Sequence, residues 1–203
     1  MTGYKIVNLK VLVDALGEDD AKGILSEFLC PLNPDVERFL KDKAIEFSKQ
    51  GLAQTHLVFA SYQQRPVLIG YYALASKYIT ISAKNLSSNL KRRIARFSTY
   101  NSEVKSYCLS APLIAQLGKN YAHGYDKLIT GDELLKLACD KVSAIQMDLG
   151  GRFAYLECED TPKLIEFYTS NGFCEFDRRM LDKDETGLNG AYLVQLLKYI
   201  KQN

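Results

Sequence analysis

The spacing of apolar residues predicts that the chain begins with a mainly helical region. Residues 4–9 have the composition of a short strand, and residues 11–28 have a helical pattern that is interrupted at Gly17-Glu18-Asp19-Asp20. From 35 to 50 the apolar positions recur at the spacing of an amphipathic helix, and Gln50-Gly51 forms a natural end.

A pair of strands is predicted next. Residues 55–61 and 66–76 are rich in Val, Leu, Ile, Phe and Tyr, and only Tyr62-Gln63-Gln64-Arg65 separates them. This arrangement favours a hairpin, whose second strand residues 78–81 can continue. Residues 107–117 return to strand composition, although Pro112 would force that strand to a sheet edge or into a bulge.

The segment 85–101 is polar and basic. It carries Lys91-Arg92-Arg93 and Arg96 close to Phe97 and Tyr100. Such a run could contact RNA or another polyanion, or it could be the solvated face of a helix. We expect a flexible or partner-facing insertion here.

The next helix has a clear beginning. Thr130-Gly131-Asp132-Glu133 fits a capping box, in which the Thr hydroxyl meets the third helical N–H and the Glu side chain reaches back. A core-facing stripe follows and ends at Gly150-Gly151: Leu134, Leu135, Ala138, Val142, Ile145 and Leu149. Strands at 153–158 and 191–200 complete a mixed α/β (α+β) order around one layered sheet.

Composition narrows the class of protein. The length of 203 residues suits one domain, 1–203, with residues 1–50 as its N-terminal helical region. Five scattered cysteines without a Cys-x-x-Cys pair, together with only two histidines, argue against a disulfide framework and a metal site. No apolar run nears the ~20 residues of a membrane span and no signal core is visible, so we expect a cytoplasmic protein without membrane contact.

The segment 152–180 carries the most informative pattern. After a strand, a short helix begins at Thr161-Pro162 and ends at Asn171-Gly172, and an aromatic strand follows. Tyr168 lies four residues before that glycine, in the pattern Phe-Tyr-x-x-x-Gly-Phe. At ~100° per residue, its ring shares a face with Leu164 and Ile165 while its hydroxyl can reach an adjoining cleft. Taken alone, a core tyrosine with a satisfied hydroxyl is the alternative interpretation.

This pattern resembles the C-terminal half of the GNAT superfamily of acyltransferases, and the resemblance extends over residues 55–180. It implies a central, mostly antiparallel sheet that splays to admit acetyl-CoA as co-substrate and is flanked by helices. Tyr168 matches the tyrosine that protonates the departing thiolate in this family. A phenol with a pKa of ~10 can hydrogen-bond to a developing thiolate, whose conjugate pKa is ~8.5, and donate to it. Residues 1–50 would help to shape the acceptor site.

The resemblance also implies a pyrophosphate loop before the capped helix, whose N-terminus offers unpaired N–H groups. The family pattern is Gln/Arg-x-x-Gly-x-Gly/Ala, and residues 126–131 match it only at the last glycine. The expected cofactor-binding residues, which act mainly through their backbone, are Gln116, Leu117, Lys127, Leu128, Ile129, Thr130, Gly131 and Asp132. Asp132 and Glu133 would compete with the phosphate, and Lys119 and Lys127 would offset them. An ordinary capped helix is the alternative interpretation.

The general base is less clearly marked. Glu157 and a water held by backbone carbonyls are the two candidates. The implied function is direct transfer of an acetyl group from acetyl-CoA to a primary amine, with Tyr168 as general acid. Its acceptor would be a small molecule, a protein or an aminoacyl-tRNA, and Tyr155-Leu156-Glu157 with the tyrosine helix also resembles bacterial tRNA-acetylating toxins of this family. The alternative is a GNAT-like domain that has lost catalysis and serves as a regulatory or RNA-interacting module.

Overall fold

The computed structural model describes residues 3–84, 86–182 and 190–201. The chain divides into two compact units, of which the first comprises residues 1–75 and 114–138 and the second residues 76–113 and 139–203. Two strands and one helix contribute residues to both units. The expectation of a single domain stays a prediction.

The first unit is built on a hairpin with helices packed on it. β1 (Lys5–Asn8) pairs antiparallel with β2 (Gln54–Tyr62), which pairs antiparallel with β3 (Arg65–Ser82). The helices are α1 (Leu9–Leu16), α2 (Glu18–Ser26), α3 (Pro34–Arg38) and α4 (Ala44–Gln50). α1 and α4 lie on β2. The core of this unit contains Leu9, Leu25, Phe28, Leu40, Leu57 and Tyr71.

One long helical segment runs from α3 into α4, as the amphipathic pattern predicts, but it contains a π-helical turn at Phe39–Lys43. The N–H of Ala44 bonds to the carbonyl of Phe39, five residues back instead of four. Such a turn accommodates one extra residue within a helix. Phe39 and Leu40 remain buried in spite of it.

The second unit contains β4, β6, β7 and β8 and parts of β3 and β5. β4 (Thr99–Asn101) pairs antiparallel with β5 (Ser106–Lys119), and β6 (Phe153–Glu159) pairs antiparallel with β8 (Tyr192–Tyr199). β7 (Cys174–Met180) closes the edge beside β8. The helices are α5 (Ser88–Ala95), α6 (Gly131–Leu149), whose first residues belong to the first unit, and α7 (Pro162–Ser170) on β6 and β7.

The described strands follow the order β1-β2-β3-β5-β6-β8-β7, with β4 beside β5. The pairs β1–β2, β2–β3, β4–β5, β6–β8 and β7–β8 are antiparallel, whereas β5 and β6 are parallel and pair at Leu113 opposite Tyr155. The expected mostly antiparallel, splayed sheet is confirmed. Of the two alternatives expected from Pro112, the sheet edge is wrong, because β3 and β6 flank β5, and the bulge stays a prediction. The strand tolerates this proline beside Leu113, where its ladder with β6 is already interrupted.

The basic segment contains a helix. Asn85 lies outside the described residues, but α5 begins directly after Ser87, whose Oγ accepts a hydrogen bond from the N–H of Leu90 at 3.3 Å. Leu90 and Ile94 are both buried and anchor the helix. The helix matches the alternative of a solvated helix face, because two buried residues one helical turn apart hold this segment on the core, and the expected partner-facing role stays a prediction. Among the described residues, no helix is long and apolar enough to cross a membrane.

Candidate active site

Tyr168 is positioned by the C-terminal end of α7. Gly172 adopts a left-handed conformation with φ of +82°, and its N–H bonds to the carbonyl of Thr169 at 3.0 Å. The N–H of Phe173 bonds to the carbonyl of Tyr168 at 3.1 Å. These two bonds form a Schellman motif, and the pattern Phe-Tyr-x-x-x-Gly-Phe therefore has a local physical cause.

Neighbouring rings hold the side chain of Tyr168. Its ring lies 4.9 Å from that of Phe167 and 6.0 Å from that of Phe173, both in edge-to-face contact. The Tyr168 hydroxyl makes no hydrogen bond to any residue that the structure describes. Burial, with a smaller contribution from Cys158, raises the pKa of this phenol. Tyr168 is therefore fully protonated at neutral pH and has its proton available for an external acceptor.

Glu157 is the centre of a polar network on β6, β7 and β8. Arg179 donates to its carboxylate from Nε at 2.8 Å and from Nη2 at 2.6 Å. The Tyr155 hydroxyl also donates to it, and Gln195 donates to both Glu157, at 3.1 Å, and Tyr155, at 2.6 Å. Burial alone would raise the pKa of Glu157, but the hydrogen bonds from Arg179, Tyr155 and Gln195 outweigh it and the pKa is lowered.

This network makes Glu157 a poor general base. A base needs a pKa near the working pH and a free lone pair directed at the acceptor, whereas this carboxylate already accepts four hydrogen bonds and has a lowered pKa. Asp160, close by in sequence, is paired with Arg178 at 3.4 Å. The contacts of Glu157 thus count against it as the base, and both candidates, Glu157 and a water held by backbone carbonyls, stay predictions.

The expected phosphate loop begins with an irregular turn. Residues Ala122–Leu128 form a 3₁₀ segment that is kinked at His123 and Gly124, both with positive φ. The ammonium of Lys119 donates to the carbonyl of Asp126 at 2.9 Å, and the hydroxyl of Tyr4 donates to the carbonyl of Leu128 at 3.3 Å. Side chains from outside the loop therefore hold its backbone in place.

The predicted capping box is confirmed at the start of α6. The N–H and hydroxyl of Thr130 donate to Oε2 of Glu133 at 2.8 and 2.9 Å, and the N–H of Glu133 donates to Oγ1 of Thr130 at 3.1 Å. Hydrogen bonds from the backbone and side chain of Thr130 lower the pKa of Glu133. A phosphate at this helix start would meet a carboxylate and would lack two of the backbone donors.

The end of β5 approaches α3 closely. A side chain at Gly118 would place its Cβ 2.3 Å from Cγ1 of Val36, so only glycine allows this packing. Beside it, the amide of Gln116 donates to Oδ2 of Asp35 at 3.3 Å. Asp35 therefore places a carboxylate next to Gln116, which is a predicted site residue. The sequence did not identify Asp35, because 81 positions separate it from Gln116.

The predicted site residues fall into two groups. Tyr168 and Glu157 belong to the second unit, and all eight residues expected to bind the cofactor belong to the first. Within the first unit, Gln116 and Leu117 lie on β5, Lys127 and Leu128 lie in the 3₁₀ segment, and the others form the start of α6 or directly precede it. Ile129 is buried, so its contribution is limited to its backbone.

Comparison with known proteins extends the description. No protein family and no curated protein matches the chain. Among solved structures, AtaT in complex with acetyl-methionyl-tRNAfMet covers 95% of this chain and 94% of its own length, at 18% identity and a TM-score of 0.59. A structure described as a bacterial toxin covers 98% and 92%, at 16% identity and a TM-score of 0.63. AtaTR bound with AcCoA covers 94% and 91%, at 16% identity and a TM-score of 0.55.

These similarities establish the class of fold. The chain has the fold of the GNAT superfamily, as the resemblance at 152–180 implied. The similar structures include a mutant of the AtaT toxin, whose fold matches nearly the whole chain.

Proposed function

We propose that this protein is an N-acetyltransferase that moves the acetyl group of acetyl-CoA directly to a primary amine, with Tyr168 as general acid. The observation that carries the proposal is the Tyr168 phenol, which the helix end fixes in place and which has no hydrogen-bond partner among the described residues. The GNAT fold supplies the context, and one similar structure is bound with AcCoA.

The proposed reaction is a single transfer. The neutral amine nitrogen attacks the thioester carbonyl carbon, the C–N bond forms, and the C–S bond breaks. Coenzyme A leaves as a thiolate and takes the phenolic proton of Tyr168, while the proton lost by the nitrogen returns to the phenolate through water. Burial raises the pKa of the phenol. The same dry surroundings would also raise the pKa of the leaving thiol. Burial therefore raises the pKa of both the proton donor and the proton acceptor, and not that of the phenol alone.

The occupied carboxylate of Glu157 limits the choice of acceptor. An α-amino group with a pKa of ~7.7–8.0 is roughly one-tenth neutral at pH 7, whereas a lysine amine at ~10.4 is neutral in fewer than about one molecule in a thousand. Because Glu157 is held by Arg179, an acceptor that needs little deprotonation suits this site. We therefore propose the α-amine of an aminoacyl-tRNA as the acceptor, ahead of a small molecule or a protein lysine. AtaT complexed with acetyl-methionyl-tRNAfMet supports this choice.

The cofactor would use the backbone of both expected segments. Amide groups near Gln116 and Leu117 would polarise the thioester, and the backbone from Lys127 to Asp132 would hold the pyrophosphate. The carboxylate of Glu133 weakens this cradle, so binding should be weaker than an unobstructed helix N-terminus would give.

The same capping box favours the second candidate, a GNAT-like module without catalysis. Isothermal titration calorimetry with acetyl-CoA, followed by transfer of radiolabelled acetyl to charged tRNA, a lysine peptide and a small primary amine, decides between the two. The first proposal predicts binding and faster labelling of charged tRNA than of the peptide. Lack of binding at millimolar acetyl-CoA would favour the module.

A further inference from the structure

We propose that a surface centred on α5 binds the phosphate backbone of RNA. This α5 basic surface is defined by Lys91, Arg92, Arg93, Arg96 and Arg152. The bound RNA would be the molecule that carries the acceptor amine, and this assignment rests on the proposed function. RNA binding itself is a separate property and can be measured without any acetyl transfer.

The first observation is that these five cations have no carboxylate partner among the residues that the structure describes. Elsewhere on the described surface, several cations are matched by a carboxylate, as in the pairs Lys10–Asp14, Lys22–Glu18, Lys41–Glu37 and Arg178–Asp160. The sequence from 86 to 102 contains four cations and no Asp or Glu. The surface therefore has concentrated positive charge without internal compensation, and a polyanion would neutralise it.

The second observation is a stack that fixes two of the arginines. The guanidinium of Arg93 lies 5.5 Å from the ring centroid of Tyr199, which is 5.8 Å from that of Phe97. The guanidinium of Arg152 lies 5.8 Å from the ring centroid of Phe97. Two cations are thus held at the two ends of an aromatic pair. Their positions are set before a ligand arrives, which lowers the entropy lost on binding.

The third observation is that α5 presents the charge from a rigid base. Leu90 and Ile94 are buried on one side of the helix, and Lys91, Arg92 and Arg93 are all exposed on its other sides. Membrane binding by such a helix would require its apolar face to be available, but this face is occupied by the core of the unit.

Exposed aromatic side chains favour RNA over an acidic protein. Phe97 is 42% exposed and Tyr100 is 49% exposed, and both follow α5 directly in the chain. Unstacked bases pack on aromatic rings and on guanidinium planes, whereas acidic peptides need only the charge. Arginines next to accessible rings therefore match the two parts of a single-stranded nucleotide, its phosphate and its base.

The test compares two pairs of substitutions that remove the same charge from the full chain. Arg92→Ala with Arg96→Ala changes the proposed surface, and Lys10→Ala with Lys22→Ala removes two cations that pair with carboxylates elsewhere. Neither Arg92 nor Arg96 contacts a ring, so the fold should be kept, and circular dichroism checks this. Fluorescence anisotropy with labelled uncharged tRNA and with a labelled 20-nucleotide RNA gives affinity between 50 and 200 mM salt.

We expect the Arg92/Arg96 variant to bind RNA at least tenfold more weakly at 100 mM salt and to lower the salt slope by about 1.5–2. The lysine pair should stay within twofold of the wild type. Equal losses in the two variants, or none in the first, would overturn the proposal. Polyglutamate that competes as well as unlabelled RNA at equal charge would also overturn it, in favour of an acidic protein partner.

Two further measurements separate this proposal from the proposed function. The Arg92/Arg96 variant should bind acetyl-CoA with unchanged affinity and should acetylate a small amine at the wild-type rate, because neither residue belongs to the proposed catalytic group. If the wild type binds RNA through this surface but does not bind acetyl-CoA, the acetyltransferase proposal is wrong and the RNA surface stands. Acetyl transfer to a small amine without RNA binding would overturn the RNA surface and leave the acetyltransferase proposal intact.

Discussion

Arg179 on β7 reaches over β8 to bind Glu157 on β6 through two hydrogen bonds, of 2.8 and 2.6 Å. The carboxylate side chain of Glu157 is only 11% exposed. Because a charge buried without its partner costs more than the pair contributes, this contact should be more important for stability than an exposed ion pair is. The link also fixes the strand that precedes α7, the helix that carries Tyr168.

Removing the guanidinium should therefore destabilise the protein. Arg179→Leu is expected to lower the free energy of unfolding by about 2–3 kcal/mol, measured by urea denaturation, because the carboxylate of Glu157 stays buried. Arg178→Leu is the matched control, since Arg178 pairs with exposed Asp160 and Glu175 and its loss should cost under about 1 kcal/mol. Similar losses for the two arginines would contradict this account.

The same pair predicts a pH dependence. The pKa of Glu157 is lower in the folded protein than the ordinary value of 4.5, so its contribution to stability is present above pH 4.5 and is lost as the pH falls through the lowered value. Urea unfolding midpoints measured at pH 3–7 should show that the difference in midpoint between the wild type and Glu157→Gln narrows below pH 4.5. A gap that stays constant over this range would show that the charge of Glu157 has no such role.

Tyr168→Phe tests the proposed general acid. It keeps the ring contacts with Phe167 and Phe173 and removes only the hydroxyl, so acetyl-CoA affinity should change less than twofold. Turnover should fall at least tenfold, because the thiolate loses its proton donor. Rates are measured by release of coenzyme A at saturating acetyl-CoA. Unchanged turnover would remove Tyr168 from the mechanism.

Glu133→Gln tests whether the capping box opposes the cofactor. A glutamine keeps the hydrogen bonds of the box but removes its charge, so α6 should stay stable. Acetyl-CoA should then bind about two- to fivefold more tightly, because the helix N-terminus loses a competing anion. Asp148→Asn, near the opposite end of α6, removes the same charge and should have no effect on affinity. If both variants gained acetyl-CoA affinity equally, the cause would be the change in net charge and not the position of Glu133.

Cys158 should resist alkylation. Burial, helped by the nearby charges of Asp160, Glu175 and Glu159, raises the pKa of its thiol to about 12. At pH 8 it has very little thiolate, whereas Cys174 is exposed. Peptide mapping after iodoacetamide treatment should show Cys174 modified at least 100-fold faster, with a urea-unfolded sample as control. Fast modification of Cys158 in the folded protein would mean that the β6–α7 junction opens.

The sequence predicts the features whose causes are local. The helix end around Tyr168 and the capping box at Thr130 each depend on residues within a few positions, so the residue pattern contains all the information needed. The two strands of the first hairpin follow from their β-branched and aromatic composition for the same reason. The structure confirms these parts of the fold.

Features that depend on partners far apart in the sequence cannot be predicted from the residue pattern. Glu157 looks like a candidate base in the sequence because Arg179 is 22 positions away and acts across another strand. Asp35 meets Gln116 only after folding. The sequence offers the helix at 88–95 only as one of several alternatives, because Leu90 and Ile94 form a single apolar pair, which is too short for periodicity to distinguish from a loop.

The π-helical turn at Phe39–Lys43 has a consequence for comparing this chain with others. One additional residue within a helix rotates everything after it by roughly 100° relative to an uninterrupted helix. Deleting one of these five residues should therefore restore ordinary α-helical spacing and leave the buried side of α4, including Ile45, on β2. A gap-free alignment with a relative that lacks the turn would therefore match positions 44–50 to the wrong partners, even where the two backbones superimpose.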